Sequence, residues 1–132
     1  MHSVYDEVKV LQSLVPATRT ASANGSALDT MGYQSVMWVI QAGDIDLTTG
    51  DETYSFKIQE ATDSAFTTPV DISGATATVT ADNDVKSIRI DGLGTGSRLR
   101  YQRAVATLAG TTPSWPGAAI AVLGRAFQNP VN

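Results

Sequence analysis

The feature that most constrains this chain is a succession of strand-length apolar runs set apart by turn-forming residues, with no helical stripe between them. Residues 33–42 (YQSVMWVIQA) are apolar on both alternating faces, with Val36, Trp38 and Ile40 on one and Met37 and Val39 on the other. That is the pattern of a strand covered on both sides, and it predicts the central strand of a sheet. Residues 53–60 alternate Tyr54, Phe56 and Ile58 with Ser55, Lys57 and Gln59, which predicts a half-buried strand with one wet face. After a loop over 60–73, the β-branched alternation ATATVTA at 75–81 predicts a short strand. Residues 85–90 place Ile88 and Ile90 on one face, and residues 98–108 (RLRYQRAVATL) follow with Leu99, Tyr101 and Val105 in phase. These two runs are expected to form a strand pair. Residues 118–123 (AAIAVL) make a compact apolar strand, and residues 127–132 a short polar tail.

Turn signals occupy the gaps: DIDLTTGDE at 44–52, Asp82-Asn83-Asp84, the glycines at 92, 94 and 96, and TTPSWPG at 111–117. Strands recurring at this spacing belong to a sandwich or barrel, and the missing helical stripes argue against βαβ units. The N-terminal part is less regular. The apolar positions of residues 4–15 satisfy neither a period of two nor a helical stripe, so the segment is read as extended and ended by Pro16. Residues 17–32 are small and polar around an Asn24-Gly25 turn signal, which predicts a loop or arm. The expected fold is all-β: a single antiparallel β-sandwich, jelly-roll-like, over residues 33–132, preceded by an extended segment and arm over residues 1–32, as one domain overall.

Composition narrows the function. At 132 residues a chain buries enough surface for one core. The net charge is −4, and ten of the thirteen acids lie between Asp44 and Asp91; this distribution disfavours nucleic acid and anionic membrane as partners. No apolar stretch approaches the roughly 20 residues that cross a bilayer. Residues 1–15 carry Asp6, Glu7 and Lys9 where a secretion signal would be apolar, so the product is expected to be made in the cytoplasm. There is no cysteine, and the single histidine, His2, stands in the leading segment. Thiolate metal sites and disulfides are excluded, and nothing supplies a nucleophile with an adjacent base. The chain reads as a scaffold that binds or builds, not as an enzyme, with no cofactor and no metal.

Each chemically suggestive cluster has a plainer reading. Asp44, Asp46, Thr48 and Gly50 match the opening of a calcium loop, but the twelfth position, which would close it with a bidentate acid, is Ser55. A solvated turn explains them, and equally Asp82, Asn83 and Asp84. Gly92, Gly94 and Gly96 suggest a phosphate loop, which requires a helix behind it, and the run that follows is strand-like. The carboxylate pairs Asp51 with Glu52, and Glu60 with Asp63, lack a context that would fix glycosidase geometry. Arg98, Arg100 and Arg103 concentrate positive charge around Tyr101, with Arg98 and Arg100 on one face and Arg103 on the other, a pattern that favours ion pairs with acids of a neighbouring strand or of a partner protein. Trp115, between Pro113 and Pro116, is either an interface or stacking anchor or a ring folded back over the end of the sandwich.

Four stretches carry a resemblance: YQSVMWVIQAGDI (33–45), FKIQEATD (56–63), IRIDGLGTGSRLRYQRAVATLAGT (88–111) and GAAIAVLGRAFQNPV (117–131). In their order and strand phrasing the chain resembles small structural proteins encoded beside the major capsid protein in tailed bacteriophages and prophages. The resemblance implies a head decoration or cement protein: a β-sandwich, often a jelly roll, that oligomerises on the capsid surface. It implies a virion location, the major capsid protein as partner, and a homo-oligomer, dimer or trimer. Within that reading the candidate interface residues are Met37, Val39 and Trp115, as apolar outer positions, with Arg98 and Arg100. A head-completion or tail component is the nearest alternative. A carbohydrate-binding sandwich is another, with Trp115, Tyr54 or Tyr33 as stacking platform and Asp44 and Asp46 holding calcium.

Overall fold

A computed structural model describes residues 4–126; His2 and the tail expected at 127–132 lie outside the described residues. One helical turn, α1 (Val4–Glu7), leads into nine strands: β1 (Lys9–Arg19), β2 (Ala23–Asn24), β3 (Leu28–Asp29), β4 (Tyr33–Ala42), β5 (Thr53–Ala61), β6 (Val70–Val79), β7 (Val85–Asp91), β8 (Tyr101–Ala109) and β9 (Trp115–Ala126). They form two sheets, ordered β1-β9-β4-β7 and β2-β8-β5-β6, with β3 also on β8. All pairs are antiparallel. With β2 and β3 counted as one interrupted strand, the pairs β5·β6, β4·β7, β2/β3·β8 and β1·β9 nest one inside the next along the chain. An antiparallel ribbon wound in this way into two facing sheets is a jelly roll.

The strands follow from alternation. In β5, Tyr54, Phe56 and Ile58 point inward and are 0–2% exposed, as their spacing predicts. β4 lies between β9 and β7, and its Val36, Trp38 and Ile40 fill the core. Its second face is not covered as expected: Met37 is 44% exposed and Val39 half-buried, because among the described residues no second layer packs outside this sheet. Beside β4 and β5, the core is completed by Ala104, Ala106 and Leu108 of β8, Trp115, Ala119, Ala121 and Leu123 of β9, and Ile88 and Ile90 of β7. Each large side chain so buried stabilises the fold by about 1.5–3 kcal/mol.

Five local expectations are corrected. Pro16 does not end its strand: β1 continues to Arg19, and register shifts between Gln12 and Leu14 and between Leu14 and Ala17 leave Pro16 in an irregularity on an edge strand, where a missing N–H costs no ladder bond. Residues 17–32 include two short strands that pair with β8. β6 begins at Val70, inside the stretch read as a loop. Residues 85–90 and 98–108 do not pair: β7 joins β4 and β8 joins β5, in different sheets. The phase of β8 is also reversed, with Gln102, Ala104, Ala106 and Leu108 inside, so the larger Tyr101 and Arg103 face outward.

Candidate protein interface

Alternation sends every second residue of a strand to the outer face of its sheet, and ladder partners share that face. On the sheet β1-β9-β4-β7, Val10 pairs with Val122, Val122 with Met37, and Met37 with Arg89. The adjacent row runs Gln12, Ile120, Val39, Ser87. Val10 is 57% and Met37 44% exposed, while Val39, Ile120 and Val122 are half-buried by one another. Val85, 60% exposed, extends the surface beyond Gln41. Four strands therefore build one contiguous apolar patch, with Met37 and Val39 at its centre. The other sheet is unlike it. Its outer rows carry Ser55, Thr76, Thr78 and Thr107, with Val105 opposite Lys57 but only 8% exposed, and a polar chain in which Lys57 and Gln59 donate to Asp71 (2.9 and 2.8 Å) and Arg103 donates to Gln59 (2.8 and 3.0 Å). A solvated face carries such groups, and a face that receives a partner carries apolar ones.

Sequence reasoning singled out Met37 and Val39, which do lie on the outer face, but not Val10, Ile120 and Val122. Val10 sits in the irregular run before Pro16, and only the ladder through β9 sets it beside Met37. The other three candidates lie elsewhere. Trp115 is wholly buried: its ring meets Phe56 edge-on at 4.8 Å, its indole N–H donates to the Gln41 carbonyl at 3.2 Å, and the Arg19 guanidinium stands 5.4 Å from its centroid. It is the first residue of β9, in the inward phase, so it folds over the end of the core and offers no outer surface. Arg98 and Arg100 sit before β8 at the opposite end of that strand's sheet. Arg100 grips Asp29 of β3 with Nε and Nη2 at 2.9 and 2.7 Å, and Arg98 Nε lies 3.7 Å from Glu60 of β5. These are the expected ion pairs with acids of neighbouring strands. The hydrogen bond from Arg100 holds the Asp29 carboxyl below the usual carboxylate range.

The rings proposed as a sugar platform are not exposed. Tyr54 and Trp115 are buried completely and Tyr33 is 8% exposed; the Tyr54 hydroxyl donates to the Asp46 carbonyl (2.5 Å) and accepts from Ser114 N–H (2.9 Å). A stacking site needs a flat accessible ring, so the carbohydrate alternative loses its platform. The loop acids are engaged locally. Asp46 accepts from Thr48, Asp82 from the Ile45 N–H, Asp63 from Thr67, and Asp51 from Thr49 and Thr111. Glu52 accepts from Thr49 and Thr112. The Thr49 hydroxyl, foremost, and Thr111 pull Asp51 down to about 2, and Thr49 lowers Glu52 as well. A general acid at neutral pH needs the opposite shift. Among the described residues no group of three or more His, Asp or Glu side chains is placed to hold a metal ion. The glycine loop 92–96 leads to a strand, and Leu93, 1% exposed, anchors it by donating to the Gln34 carbonyl. No helix among the described residues is long and apolar enough to cross a membrane.

No protein-family model matches the chain, and no curated protein matches its sequence. Similar solved structures include dimeric latent PorU from Porphyromonas gingivalis, at 13% identity and a TM-score of 0.42, over 92% of this chain and 13% of that one. A structure of infectious bursal disease virus, Gx strain, is similar at 11% identity and a TM-score of 0.38, over 95% of this chain and 33% of that one. The chain thus spans well under half the length of either protein.

Proposed function

We propose that this chain is a non-enzymatic structural subunit of a phage virion, a decoration protein that seats the outer face of its β1-β9-β4-β7 sheet on the major capsid protein and bridges neighbouring subunits. The apolar patch centred on Met37 and Val39 carries the reading: it lies on one outer face only, while the opposite face is polar. Exposed apolar surface gathered on one side of a rigid sandwich is what a partner of fixed shape can cover. The jelly-roll winding and the phage-like phrasing of residues 33–45 and 88–111 point the same way. A subunit of this kind stabilises its shell by mass action, since it binds the assembled state and not the dissociated one. It belongs at the capsid surface, is made in the host cytoplasm, and self-associates as a dimer or trimer.

The test is co-sedimentation with undecorated shells, with the shell's melting temperature read in parallel. Stoichiometric binding that raises the melting temperature is the expected result. Met37→Glu combined with Val10→Glu changes two exposed side chains, so the isolated protein should keep its stability to within about 0.5 kcal/mol per site while shell binding falls at least ~10-fold. A protein that ignores shells, or a double variant that binds them unchanged, overturns the reading.

A further inference from the structure

We propose that the hollow at the Arg98–Arg100 end of the sandwich is a second docking site, which receives an apolar side chain carrying an adjacent carboxylate, as presented by an acidic, extended segment of a partner protein. The hollow measures about 430 Å³, within the range of ~300–1,000 Å³ that ligand pockets occupy. Its floor is apolar. Met31, 68% exposed, and Leu99 supply side chains, while Gly32 and Gly94 leave backbone without a Cβ for a chain to approach. Methionine suits such a wall because its thioether adapts to the shape it meets.

Two carboxylates hold the walls in place before any ligand arrives. Asp29 accepts both the Met31 N–H, at 3.0 Å, and the Arg100 guanidinium. Glu60, 5% exposed, accepts the Leu99 N–H at 3.1 Å and lies 3.7 Å from Arg98 Nε. Thr30 closes the remaining side, donating through both its N–H and its hydroxyl to the Arg100 carbonyl. A pocket tied in this way spends little ordering free energy on binding.

Charge sets the ligand class. Arg98 directs Nε to the Ser97 carbonyl and toward Glu60, and its terminal nitrogens make no hydrogen bond among the described residues. Asp29 already occupies Arg100, so a bare anion would have Arg98 to hold it but nothing to seat on the Met31 and Leu99 side chains. A purely apolar group would leave the Arg98 guanidinium, which lines the hollow, unanswered. A ligand that joins an apolar side chain to a carboxylate answers both, and the carboxylate accepts from Arg98 in the geometry guanidinium favours. This inference rests on no part of the shell reading, and its test needs no shell.

The probe is N-acetyl-leucine, with N-acetyl-leucinamide as its uncharged counterpart, titrated into the full chain bearing ¹³C-methyl methionine. The Met31 methyl should shift saturably with N-acetyl-leucine in the millimolar range while the Met37 methyl stays still. The amide should bind at least ~10-fold more weakly, as should N-acetyl-leucine to Arg98→Gln. Because Arg98 also faces Glu60, Met31→Gln, at an exposed position, is the second variant, read at the Leu99 amide and expected to lose affinity equally. An unmoved Met31 methyl, equal binding of acid and amide, or unchanged affinity in either variant overturns the proposal.

Discussion

Trp38 Nε1 donates to Gln102 Oε1 at 3.0 Å across the space between the two sheets, and both side chains are fully buried. Gln102 is the residue that reverses the phase read for β8: its amide enters the core because an indole N–H there requires an acceptor. A hydrophobicity pattern cannot show this, since it scores glutamine as an outward residue wherever it stands. The bond is not cost-free, because Gln102 Nε2 is buried without a partner. Trp38→Phe should therefore lose about 1–3 kcal/mol, the cost of leaving a buried carbonyl unanswered together with lost contact. Adding Gln102→Met to that variant should recover part of the loss by removing the stranded amide altogether. Urea unfolding of the two single variants and the double checks this, and additive single effects would show that the residues are not coupled.

Among the elements, β5 was legible to within a residue, because polar and apolar positions alternate there without interruption. β1 was not, since its bulges and Pro16 break the period that would mark it. What holds β1 to the other sheet is Ser13, 3% exposed, whose hydroxyl donates to the Ser26 carbonyl (2.8 Å) and accepts the buried Ala104 N–H of β8 (3.1 Å). This side chain enters the gap between β2 and β3, where Gly25 N–H donates to the Ala104 carbonyl at 2.7 Å. Only glycine fits there: a Cβ at position 25 would lie 2.9 Å from both the Ala104 and Ser13 carbonyl oxygens. The Asn24-Gly25 pair was read as a turn signal, and the glycine serves close approach instead. Ser13→Ala should cost about 1–3 kcal/mol by stranding the Ala104 N–H, and should speed hydrogen exchange at that amide more than at Ile58. Equal protection at both amides would refute the staple.

For the whole molecule, the acids decide how the fold responds to pH. Asp29, Asp46, Asp51, Glu52, Asp63 and Asp71 are all lowered by hydrogen bonds to the folded carboxylate, Asp51 to about 2 from an ordinary 3.8. In the acid range the unfolded chain then binds more protons than the folded one, so the stabilisation is complete above the unfolded values and is lost as pH falls through the folded ones. Thermal melts should change little from pH 7 to about 5 and fall steeply between about pH 4 and 2. Asp51→Asn should flatten the lowest part of that fall, and an unchanged profile would mean that Asp51 does not sit in the Thr49 and Thr111 cradle. By itself the sequence determined the all-β character, the turn-rich stretches between the longer strands, the inward residues of β4 and β5, and the apolar character of Met37 and Val39, because alternation and turn chemistry are local properties. Only the tertiary structure decided which strands meet. The patch that joins Val10, Val122 and Met37, the hollow that gathers Met31 with Arg98, and the burial of Trp115 all depend on antiparallel pairs between distant parts of the chain. A local period marks a strand's two faces but says nothing about which neighbours complete them.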